Sequence, residues 1–214
     1  SQASEKTAPT TEQVNTIQAI KIAFSDRSYT LLFFGFFVCG FHVQFIGTHL
    51  PAYIIDEGLA PIIGAWSLAL IGLFNIAGSF FSGWSGQIYS KPKLLSGIYA
   101  SRAAVIAMFI FTPLSETSVL LFSAAMGILW LSTVPLTTGL IAQTQGLKFL
   151  STLAGLVFFS HQVGGFLGAW LGGRLYDLTG NYEAMWIAAI LFGLLATIIH
   201  LPIRETAGKL AQAE

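Results

Sequence analysis

The chain has 214 residues, 54% of them hydrophobic and only 9% charged, with ten Lys and Arg balanced by ten Asp and Glu. A soluble domain carries about a quarter charged residues, so this composition, with 18 Phe and a mean hydropathy of +0.72, excludes an ordinary water-soluble domain and points to a lipid bilayer. The zero net charge makes no electrostatic case for a nucleic-acid partner, and a single cysteine, Cys39, excludes an internal disulfide.

From the N-terminus, residues 1–10 read as a polar linker, and no secretory signal is visible. Thr10 and Gln13 fit a capping box. Val14, Ile17, Ile20 and Phe24 then recur at helical spacing. Residues 1–27 are therefore expected to be a cytoplasmic linker with a short amphipathic helix, either on the membrane surface or as a plain connector. Beyond it, the stretches free of acid and base run 28–55, 58–90, 94–115, 117–147, 149–173 and 184–203, with only Arg102 inside one of them. A helix crosses the hydrocarbon core with about 20 apolar residues. The gaps predict six spanning helices, roughly 28–55, 62–83, 94–112, 117–141, 149–173 and 183–202, in a bundle over 28–203 with a tail at 204–214. The class is all-α, because lipid offers the backbone no outside partner and the alternating pattern of barrel strands is missing.

With the N-terminus in the cytoplasm, the inner segments hold Lys6, Lys21, Arg27, Lys91, Lys93, Lys148, Arg204 and Lys209, and the outer loops hold only Arg174. That asymmetry predicts both termini on the inner face of a plasma (inner) membrane.

At an offset of 90 residues, GSFFSGWSGQIYS (78–90) aligns with GAWLGGRLYDLTG (168–180): Gly78 meets Gly168 and Gly83 meets Gly173. One stretch closes the second predicted helix and the other the fifth, on opposite membrane faces, which is the pattern of a three-plus-three inverted repeat. The hairpin GWSGQIYSKPK (83–93) resembles the loop signature Gly-x-Leu-Ala-Asp-Arg-x-Gly-Arg-Arg of the major facilitator superfamily. Gly83 stands at its first position and Lys91 and Lys93 at its basic end, while Gln87 replaces its Asp and Ser90 its second Gly. GRLYDLTG (173–180) keeps Gly173, Asp177 and Gly180. The resemblance covers about residues 17–205 and is to the C-terminal six-helix half of that family. GLFNIAGSFFSGW and FFSHQVGGFLGAWLGGRLYDLTG look most like its monocarboxylate and oxalate/formate branch. It implies a secondary transporter of a small organic anion working by alternating access, through proton symport or anion exchange, and paired with an N-terminal six-helix half or a second copy. The Met-less start is read as that of a piece of a longer protein.

Polar residues inside the predicted spans are the candidate substrate contacts. Arg102, near the centre of the third, costs about 2.5–3.5 kcal/mol to insert, and no carboxylate lies within a span to pair with it. It is read either as a grip on an anionic substrate or as a structural group, snorkelling toward the cytoplasmic face or bonding backbone carbonyls and Gln87. By the resemblance, the third helix of each half is peripheral and the fifth lines the cavity. His161 and Gln162 precede a ladder of Gly164, Gly168 and Gly172, expected to be a helix-packing seam. His161 is read as a substrate or proton site or as an interhelical hydrogen bond, and Gln162, turned about 100° away, as an alternative cavity residue. His42 shares a face with His49, which is expected near the interface. Asn75 lies on the stripe Ser67, Ile71, Asn75, Gly78, Ser82, read as cavity lining or interhelical glue. Trp130 precedes Pro135, expected to kink the fourth helix, and is a candidate wall of the site.

No His, Cys and Glu cluster has metal spacing, so neither metal nor cofactor is expected. Two rival readings differ in class: a non-transporting six-helix receptor or assembly subunit, and an intramembrane serine protease using Ser85 of GWSG with His161 as base.

Overall fold

The computed structural model describes residues 14–213. Its helices are α1 (Thr16–Ser25), α2 (Arg27–Asp56), α3 (Pro61–Ile88), α4 (Lys91–Phe111), α5 (Glu116–Leu129), α6 (Thr133–Gln145), α7 (Leu150–Thr179) and α8 (Glu183–His200). Taken together, α5 and α6 form one broken span, so six segments are long and apolar enough to cross a membrane. The second span runs five residues beyond its expected end at 83, taking WSGQI (84–88) into the helix. The fifth likewise continues to Thr179, where Gly180 closes it in the left-handed conformation.

The Thr10–Gln13 pair lies outside the described residues. The capping box that starts α1 is instead Asn15 with Gln18, each side chain accepting from the other residue's backbone N–H at 2.9 Å. This helix packs on the bundle through Ala19 and Ala23, leaving Ile17 67% and Phe24 38% exposed. Ile20 and Ile22 pack beside the two alanines, partly buried.

Three helix pairs carry most of the packing: α2 with α7, α3 with α5, and α4 with α8. Each is a close approach made by glycine. On α7, a Cβ at Gly164 or Gly168 would overlap the carbonyl oxygens of Phe37 and Phe41 on α2, and one at Gly172 would overlap the His49 ring. In return, a Cβ at Gly40 of α2 would overlap the carbonyl oxygen of His161. On α3, Gly78 lies in the same way against Ile128 of α5, and Gly127 of α5 against Ile71. Gly193 of α8 faces Ala103 and Tyr99 of α4. Exchanging the first three spans with the last three maps the α2–α7 pair onto the α3–α5 pair and α4–α8 onto itself. Gly78 and Gly168, aligned by the 90-residue offset, each meet the backbone of a facing helix, at Ile128 and Phe41 respectively.

One end of the bundle collects both ends of the described chain. The Gln145 side chain donates to Asp26 (2.8 Å), the Gly208 amide to the Thr144 carbonyl (2.7 Å) and the Arg204 amide to Ser28 Oγ (3.1 Å). Ile203 and Leu210 are buried there. Lys91 meets Glu205 at 3.8 Å and donates to Gln143 Oε1 at 2.8 Å.

Candidate functional site

The fourth span breaks at residues 130–132, where Pro135 has its effect. Proline has no N–H to give the carbonyl four residues back, which is that of Leu131. Val134 N–H turns to Leu131 O instead (3.0 Å), and Trp130 N–H closes on Gly127 O (3.0 Å). Backbone groups released by this tightening are met by side chains of other helices. Arg102 of α4 donates Nε (3.1 Å) and Nη2 (2.6 Å) to Leu129 O, and Nη2 also to Trp130 O. Asn75 Oδ1 of α3 accepts Leu131 N–H at 3.0 Å and the Ser79 hydroxyl at 3.2 Å. Ser82 of α3 donates to Ser132 O, and Ser132 Oγ to Ile128 O. Three side chains from neighbouring helices therefore hold one break, and each answers the rule that backbone polar groups in lipid need partners.

Arg102 is 1% exposed. Its Nη2 lies 3.6 Å from Cys39 Sγ, itself 3.2 Å from Thr133 Oγ1, and its guanidinium carbon sits 5.2 Å from the Tyr99 ring centre. Nη1 is buried without a hydrogen-bond partner. The carbonyl-bonding role foreseen for Arg102 is thus visible in two of its three nitrogens. Asn75 sits between helices as glue.

The histidines separate. His42 is 1% exposed and donates Nε2 to Ala189 O of α8 at 2.7 Å, so it lies inside the bundle, away from the open face. His49 is also packed between helices: Gly172 leaves room for its ring, and Nε2 donates to Ala169 O at 2.9 Å. His161 is half-buried. Its Nδ1 donates to Gln162 Oε1 (3.1 Å), and its ring lies against Phe36 and Phe158. Gln162 is exposed, as is Gln44 on α2, whose side chain crosses in front of Gly165. These two amides stand mid-span on the outward side of the α2–α7 pair. Trp130 is partly exposed, its ring beside Gly47, also on α2. Gln162 is thus exposed and His161, Trp130 and Asn75 partly so, while Arg102 and His42 are buried. Gln44 was missed from sequence, although a mid-span amide is the signal that singled out Gln162.

The serine-protease reading does not find its geometry. The Ser85 hydroxyl donates to Ser82 O at 3.1 Å, while His161 turns to Gln162 on another helix. Among the described residues, no three His, Cys, Asp or Glu come together as a metal site.

Residues 1–169 match the sequence model of the Major Facilitator Superfamily. The chain belongs to this superfamily. It is 29% identical over 181 residues to the uncharacterized MFS-type transporter YcxA of Bacillus subtilis, covering 82% of this chain and 44% of that protein. It is 31% identical to monocarboxylate transporter 13 of Rattus norvegicus, covering 75% of this chain and 39% of the relative. It is 26% identical to the hexuronate transporter of Bacillus subtilis, covering 92% and 50%. The chain thus spans half or less of the length of these relatives. As a member of the facilitator superfamily it is an integral membrane chain with six segments long and apolar enough to span a bilayer, and its likeness to the monocarboxylate branch agrees with the phrases in α3 and α7.

Proposed function

We propose that this chain is the C-terminal half of a facilitator that moves a small organic anion, such as a monocarboxylate, by alternating access between two six-helix halves. The coupling is proton symport or anion exchange, and both termini lie in the cytoplasm of a plasma (inner) membrane. The observation that carries this reading is the outward, mid-span placement of Gln162 and Gln44. Amides at that depth face a partner or a water-filled cavity rather than hydrocarbon, and a second half-bundle supplies both. His161, Gln162 and Trp130 are the proposed substrate-facing residues. The carboxylate class is supported by relatives named for monocarboxylates and a hexuronate.

The test is uptake by the full-length protein in proteoliposomes, with a panel of mono- and dicarboxylates, with and without an inward proton gradient or a trans anion. Saturable uptake driven by one of these, with a raised KM in Gln162→Leu, is the expected result. Uptake of no panel member under either driving force overturns the reading.

A further inference from the structure

We propose that Arg102 is a positioning residue for the broken fourth span rather than a ligand of the transported anion, and that its need is created by Pro135. In an unbroken helix the Trp130 carbonyl would accept from Val134 N–H and the Leu131 carbonyl from residue 135. Proline removes the second donor, Val134 N–H moves to Leu131 O, and the Trp130 carbonyl is left for Arg102 together with that of Leu129. A guanidinium suits this task because its donors fan out in a fixed plane and stay charged, so one side chain spans two successive carbonyls. The guanidinium in turn gains acceptors at a depth where no carboxylate is at hand: the one salt bridge among the described residues is Lys91–Glu205, at the end of the bundle. Arg102 and Pro135 lie on different helices and are linked through the backbone of residues 129–134 and, by side chains, through Cys39 and Thr133. Their coupling is therefore a specific consequence of this arrangement. What Arg102 positions is Trp130, whose carbonyl it holds and whose partly exposed ring lies beside Gly47 of α2.

The experiment is a double-mutant cycle of Arg102→Gln and Pro135→Ala in the full-length protein. Pro135→Ala restores the missing N–H, so Val134 can return to Trp130 O and that carbonyl no longer depends on Arg102, which keeps its bonds to Leu129 O. The first readout is the melting temperature of the purified protein, which needs no substrate. Arg102→Gln is expected to lower it by several degrees in the native background, and by less than half as much beside Pro135→Ala. The second readout rests on the transport reading: uptake of the anion found by the panel. Arg102→Gln is expected to lower kcat with KM little changed, and Pro135→Ala to restore part of the lost rate. Equal melting losses in the two backgrounds overturn the proposal. So does a KM raised alike by Arg102→Gln in both backgrounds, the signature of a lost ligand. If no panel anion is transported, the transport reading falls and the melting cycle still decides the role of Arg102.

Discussion

Gly168 of α7 and Phe41 of α2 meet backbone to backbone: a Cβ on Gly168 would overlap the Phe41 carbonyl oxygen. Small residues permit such approaches in membranes, where helix association rests on packing rather than on the hydrophobic effect. Gly168→Ala must push the two longest helices apart and is expected to destabilise by about 1–3 kcal/mol, the usual range for overpacking. Gly155, on the same helix, has nothing within 4 Å of an added Cβ. Thermal unfolding of the purified protein should therefore register a loss for Gly168→Ala and none for Gly155→Ala. Equal effects would mean that the seam is not what holds α7.

The same comparison examines the repeat. Gly78 on α3, aligned with Gly168 by the 90-residue offset, lies against Ile128 of α5, whereas Gly72 has open space. If the two halves of the bundle are built alike, Gly78→Ala should cost about as much as Gly168→Ala, in the range of about 1–3 kcal/mol, with Gly72→Ala near neutral. A tolerated Gly78→Ala would leave the 90-residue alignment as coincidence.

Asn75 supplies the acceptor for Leu131 N–H. Asn75→Ala leaves that amide unpaired within the broken span. Interhelical hydrogen bonds in membranes contribute about 1 kcal/mol, so the global loss should be small. The local effect should be clear: hydrogen exchange at residues 130–134 should accelerate while α7 and α8 keep their protection. Unchanged exchange there would show that Asn75 does not hold the break.

Much of the fold was legible because lipid simplifies it. Charge-free gaps mark the spans, and glycine at four-residue spacing marks the α7 seam. The break at 130–132 was anticipated only as a kink, since Pro135 shows which donor is missing but not which side chains replace it. Those replacements come from α3 and α4, some 27 to 56 residues away, and sequence spacing says nothing about them. The histidines show the same limit. His42 and His49 share a face, as read, but whether that face is inside depends on Gly172 and on a carbonyl of α8. Cys39 offered no pattern at all, and its place beside Arg102 emerges only when α2 and α4 are packed. Gln162 was legible from its depth alone.

Glu205 is a last contact that sequence could not reveal, since it lies 114 residues from its partner. Its carboxylate accepts the Lys91 backbone N–H at 3.1 Å and faces the Lys91 ammonium at 3.8 Å. Ser90, the residue before α4, gives that helix no side-chain cap. Glu205 does so in its place, and a negative charge at a helix N-terminus is favourable. The pair is about one-quarter exposed, so its contribution to global stability should stay below about 1 kcal/mol. Its effect should instead be on the segment after α8. Arg204 and Lys209 flank Glu205 on either side, and both are trypsin sites. Glu205→Ala removes the cap and the ion pair together and should speed tryptic cleavage at these two positions. Glu205→Gln keeps an acceptor for the amide and should lie between the alanine variant and the native protein. Added salt should narrow the difference between native and Gln variants by screening the charge. Cleavage at one rate in all three proteins would show that residues 204–210 are held by Ile203, Leu210 and the Thr144–Gly208 bond without help from Glu205.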